Sequence, residues 1–104
     1  MSYYLVFNFD VTDSDLYRLY VQEDVNFPWE KFNAKTLVND YEANDIEGKS
    51  GQILVIYEFE SQAEALAFYR SPEYKSIVGL RKNSTEGWVR GAPQYVTPAG
   101  YERS

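Results

Sequence analysis

Glu58 and Arg81 are the two charged residues of this chain that stand among aromatic residues in a way that can support proton chemistry. Glu58 comes near the end of the apolar run Ile53–Phe59, and Arg81 continues the helical spacing of Tyr74, Ile77 and Val78. Tyr17, Tyr20, Tyr57, Phe68 and Tyr74 supply the walls of a pocket between sheet and helices. A carboxyl held against such walls has its pKa raised by desolvation and can act as acid or base, while an arginine orients an anionic substrate or steadies an enolate. Glu58 and Arg81 are therefore the candidate catalytic pair, and Tyr17, Tyr57 and Tyr74 the candidate ligand contacts. The same residues also fit a structural role, with Glu58 and Arg81 paired to tie strand to helix and the tyrosines in the core. Strand alternation bears on the choice, because Glu58 lies opposite Tyr57 and both cannot line one pocket.

Composition limits the other chemistries. The 104 residues contain no Cys and no His, which removes thiolate nucleophiles, Cys-ligated metals and the usual base near neutral pH. No metal and no cofactor is expected, and carboxylates, Tyr, Lys, Arg and backbone groups remain for proton transfer. Asp13, Asp15, Glu23 and Asp24 lack the Gly and the bidentate Glu of a calcium loop, so they read as a solvated face. Neither a glycine-rich phosphate loop nor a nucleophile elbow occurs. The formal net charge is −6, but residues 1–60 carry −8 and residues 61–104 carry +2. Nucleic acid is thus an unsuitable partner, and the asymmetry reads either as two solvated faces of opposite sign or as a mildly basic site for a small organic or anionic ligand near Arg81 and Lys82. The first residues lack a basic leader, and no apolar run approaches the ~20 residues that span a bilayer. No membrane association and a cytoplasmic location are expected.

The elements that must position these residues follow from periodicity. Residues 3–9 are apolar on both faces of a strand, and so are most of Ile53–Phe59. Thr12 with Asp15 resembles a capping box before a helix whose apolar side is Leu16, Tyr17, Leu19 and Tyr20. Pro28 splits that helix from a further turn over 28–32. A second strand starts over 35–38 and can run on, twisted and exposed, toward Ile46, before a hairpin turn at 47–51. Ser61 and Glu64 form a capping box, and Ser71-Pro72 restarts the helix on a new axis. A short strand over 86–90 follows. The order β-α-β-β-α-β is that of an α+β, ferredoxin-like domain over residues 1–92, with a C-terminal tail over 93–104. An RNA-recognition module shares this order, but Gln52 and Leu54 stand where its stacking aromatics must lie. Helices cover only one face of such a sheet, so the second apolar face calls for another copy of the chain, a homodimer.

These residues carry a family resemblance. Val11-Thr12-Asp13 with Tyr17 and Tyr20, Lys31-Phe32, Leu37-Val38, Glu47-Gly48, the strand ending Glu58-Phe59, Ser71-Pro72-Glu73-Tyr74, Leu80-Arg81 and Ser84-Thr85-Glu86-Gly87 resemble the bacterial domain-of-unknown-function 1330 family over about residues 3–87. The resemblance implies a dimeric α/β barrel, in which two ferredoxin-like sheets face one another. At the superfamily level it implies relatives such as cofactor-free monooxygenases, isomerases and haem-degrading enzymes, the last of which hold iron with a histidine that this chain lacks. Where that family commonly has Gly-Gly pairs, this chain has Asn33-Ala34 and Asp40-Tyr41. Two functional classes result: a small-molecule-binding homodimer acting as a cofactor-independent enzyme, isomerase or monooxygenase-like, and a non-enzymatic ligand-sensing or interaction module using the tail.

Overall fold

The computed structural model describes residues 1–100; residues 101–104 of the expected tail lie outside the described residues. The elements are strand β1 (Tyr3–Val11), helix α1 (Ser14–Val25), a 3₁₀ turn (Trp29–Phe32), strands β2 (Lys35–Asp40) and β3 (Ile53–Phe59), helices α2 (Gln62–Tyr69) and α3 (Pro72–Ser84), and strand β4 (Thr85–Pro93). The strands form one antiparallel sheet in the order β2-β3-β1-β4. The two most apolar strands are central, and the domain is α+β with a ferredoxin-like order.

Odd-numbered side chains of the central strands meet the helices. Leu5, Phe7 and Phe9 of β1 and Ile53 and Phe59 of β3 are buried there with Phe68, Tyr74 and Ile77. The ring of Phe68 has no exposed surface and lies within 6.4 Å, centre to centre, of six other aromatic rings. The even-numbered side chains point the other way. Val6 stands beside Ile56, and Ile56 beside Val38, in one row across three strands on the face that no helix covers. Trp88 joins this face opposite Asn8 and remains 45% exposed.

Local chemistry explains the boundaries, including several that differ from expectation. Asp13, not Thr12, caps α1, its carboxylate accepting from the Leu16 N–H at 3.1 Å. Leu19 is half exposed, because the helix turns Tyr17, Tyr20 and Asp24 inward instead. Strand β2 ends at Asp40 and does not reach Ile46, which is almost fully exposed. A polar run with no apolar alternation offers the ladder nothing to bury. Strand β4 is longer than expected because Gly87 and Gly91 fit against β1: a Cβ at Gly87 would stand 2.1 Å from the Asn8 carbonyl oxygen. Only half of the second capping box forms, with Ser61 Oγ accepting from the Glu64 N–H while one Glu64 carboxylate oxygen is buried without a partner.

The Ser71-Pro72 restart forms as expected. Ser71 Oγ accepts from the Tyr74 N–H at 3.1 Å and donates to the Phe68 carbonyl at 2.7 Å, joining the end of α2 to the start of α3. Both bonds are buried, so their loss is felt fully. Ser71→Ala is expected to cost about 1–2 kcal/mol, seen as a melting temperature lower by about 4–12 °C in circular dichroism.

Candidate functional site

Arg81 is buried, 6% exposed, and among the described residues it pairs with no carboxylate. Its Nε donates to the Tyr74 hydroxyl at 3.3 Å and one Nη donates to the Tyr69 hydroxyl at 3.2 Å. The guanidinium carbon lies 5.7 and 5.8 Å from the ring centres of Phe7 and Phe9. Cation–π attraction and two phenol acceptors thus replace the missing counterion. Burial works to lower the pKa of Arg81, but the surrounding phenols, Tyr74 foremost, outweigh it and hold the value above the ordinary one. Tyr74 in turn shares a 3.3 Å hydrogen bond with Tyr20. A continuous polar thread therefore runs from Tyr69 through Arg81 and Tyr74 to Tyr20 inside an aromatic core.

Glu58 is not part of it. It pairs across the sheet with Tyr4 and Lys35, on the even-numbered face, and lines a shallow cleft with Ser2, Asn33 and Lys35. The sheet itself separates Glu58 from Arg81, so one chain does not assemble them as a pair. The alternation of β3 decides this, since Tyr57 takes the inner face.

The three candidate tyrosines all lie on the helix side with Arg81, in different surroundings. Tyr74 has no exposed surface, its ring 4.7 Å from Phe68 and 5.3 Å from Tyr69. Tyr57 and Tyr17 are only partly covered, Tyr57 packing on Trp29 at 4.8 Å and Phe7 at 5.5 Å, and Tyr17 on Tyr20 at 5.7 Å. Burial is the main cause that raises the pKa of all three, and of Tyr20. Each is a neutral phenol at physiological pH, a donor and not a base.

A titrating group stands beside them that sequence reasoning assigned to the solvated face. One carboxylate oxygen of Asp24 is buried without a hydrogen-bond partner. Desolvation pushes the pKa of Asp24 up to about 6. Its charge reaches Tyr17, Tyr20 and Tyr57, helping to keep their protons on. Tyr41, from the segment after β2, adds to the same effect on Tyr17 and Tyr57. The signal was present in the spacing: Tyr17, Tyr20 and Asp24 stand at i, i+3 and i+7, one face of a helix. Among the described residues no cluster of side chains suits a metal ion, and no helix is long and apolar enough to cross a membrane.

Residues 2–90 match the family described as Domain of unknown function (DUF1330), most of the chain. The chain belongs to the DUF1330 family. No curated protein matches it. Solved structures share its fold at low identity. A protein of unknown function from Rhodopseudomonas palustris is similar with a TM-score of 0.71 at 14% identity, over 91% of this chain and 83% of that one. A dimeric protein of unknown function with a ferredoxin-like fold, from Bacteroides fragilis, gives 0.57 at 12%, over 89% and 95%. A Chloroflexus aurantiacus protein named after the antibiotic biosynthesis monooxygenases gives 0.54 at 10%, over 95% and 98%. At such identities the likeness is one of fold.

Proposed function

We propose that two copies of this chain pair through the open faces of their sheets as a dimeric α/β barrel in the cytoplasm. Each copy then binds a small organic molecule beside Tyr17 and Tyr57. Asp24 serves as the acid–base group of a proton transfer run by side chains, and the thread from Arg81 through Tyr74 to Tyr20 holds the niche in place. The observation that carries this reading is the buried, unpartnered carboxylate oxygen of Asp24 among neutral phenols. A group titrating close to neutral pH is suited to give and take protons. The open row of Val6, Ile56 and Val38 supports the dimer, and the Bacteroides fragilis protein of similar fold is dimeric.

Carboxyl-carbon NMR tests the assignment. Asp24 is expected to titrate with a midpoint of about 6, and a midpoint below about 4.5 contradicts an acid–base role for it. Stability has a matching pH dependence. Because the folded pKa is raised, the folded state holds the proton more tightly than the unfolded chain, whose Asp keeps its ordinary 3.8. The stabilisation is present below the unfolded pKa and is lost as pH rises through about 6. Asp24→Asn should remove this loss and raise stability at neutral pH by on the order of 1 kcal/mol, the partly exposed carboxylate being screened by solvent. Chemical denaturation at acid and neutral pH, wild type beside variant, measures it.

A further inference from the structure

A groove of about 450 Å³ runs between the helices and the β4 edge of the sheet, away from the Asp24 niche. Its floor is apolar, made by Leu66 and Val78 from the helices and Leu5 and Val89 from the strands. Every charged residue that lines it is basic: Arg70, Lys75, Lys82 and Arg90. The chain has 16 acidic residues against 10 basic ones, so an all-cationic lining runs against its overall balance. Among the described residues none of the four forms an ion pair, the pairs present being Arg18 with Asp15 and Lys31 with Glu73. Their charge is left uncompensated at the rim of an apolar trough.

Local structure explains how they converge. Lys75, Val78 and Lys82 stand at i, i+3 and i+7 of α3, one face of that helix, with Arg70 at the end of α2, while Arg90 borders the groove from β4, where it stands opposite Val6 in the row of the open face. Tyr3 lines the groove and lies on Gly91, where a Cβ would come within 2.6 Å of the Tyr3 hydroxyl. Tyr69 adds a polar group with a direction. Its oxygen accepts from Arg81, so its own proton is free to be donated to an anion in the groove.

We propose that this groove binds an amphipathic organic anion, an aliphatic or aromatic carboxylate whose apolar body lies on Leu66 and Val78 while its head is held by Lys75, Lys82 and the Tyr69 hydroxyl. The volume is that of a small-molecule site, and an apolar wall with a few convergent polar groups is the usual form of one. Charge-assisted hydrogen bonds to the head group give the sign selectivity, and the floor gives affinity for the body. None of Asp24, Tyr17 and Tyr57 lines the groove, and binding in it needs no reaction at Asp24.

Anilinonaphthalene sulfonate fluorescence, with decanoate, acetate, decanol and decyltrimethylammonium as competitors, tests it on the full chain. Decanoate is expected to displace the probe, and the other three to need far higher concentrations, since acetate lacks the body and the others lack the negative charge. The Lys75→Glu, Lys82→Glu double variant should lose decanoate affinity by about tenfold or more while its circular dichroism melt stays that of the wild type. Tyr69→Phe should weaken decanoate binding less than the double reversal does. Asp24→Asn should leave it unchanged. Failure of decanoate to compete, equal competition by decanol or the cation, or an unaltered affinity in the double variant overturns the proposal. A loss of affinity in Asp24→Asn instead places the ligand in the niche and overturns it as well. If the double variant melts early, Val78→Trp, which fills the trough without touching its charge, must abolish decanoate binding for the proposal to stand.

Discussion

Phe68→Ala is expected to destabilise the fold by about 3–5 kcal/mol, lowering the melting temperature by roughly 15–30 °C in a domain of this size. The reason is position. Phe68 has no exposed surface and joins rings from the 3₁₀ turn, the segment before it, β3 and α3. Removing it opens a cavity that none of those elements can close alone, because each is held by its own backbone bonds. The same cut unseats Tyr74, and with it the acceptor of the Arg81 Nε–H. Thermal unfolding followed by far-UV circular dichroism measures the shift, and a loss below about 1 kcal/mol would show that the aromatic cluster is not the core.

Ile56→Glu is expected to leave the subunit folded and to break the dimer. Ile56 sits at the middle of the open face, between Val6 and Val38, where a carboxylate in an isolated subunit keeps its water. In the dimer proposed above, that carboxylate would lose its water against the partner's apolar row. The cost is at least about 3 kcal/mol, which raises the dissociation constant by roughly a hundredfold or more. Light scattering should report monomers, circular dichroism an intact fold, and Ile56→Val, which keeps the face apolar, should remain dimeric.

The sequence made the architecture legible because its strongest signals are local. The Ser71-Pro72 cap, the break before Pro28 and the two-sided apolar strands all rest on chemistry within a few residues, and all appear in the structure. Family motifs pointed to DUF1330, and the match over residues 2–90 agrees. The site was less legible. Glu58 stands between Tyr57 and Phe59 in sequence and Arg81 shares a helical face with Tyr74, but a period of two on β3 sends Glu58 through the sheet, away from Arg81. Arg81 needs no carboxylate because phenols and ring faces hold it, an arrangement assembled from β1, α2 and α3 that no short window contains. Asp24 was hidden differently. It sits in an acidic run that reads as solvated, and its helical phase with Tyr20 becomes decisive only once the helix is docked. The cationic groove likewise gathers Arg70, Lys75, Lys82 and Arg90 from three elements.

The proposed homodimer is the central claim, because a second copy would cover the apolar row of Val6, Ile56 and Val38 that one copy leaves open. Sedimentation equilibrium of the unmodified chain from micromolar down to tens of nanomolar tests it most directly. A single species of twice 12.1 kDa at micromolar concentration, dissociating only on dilution, is the predicted result. A 12.1 kDa species throughout the micromolar range contradicts it.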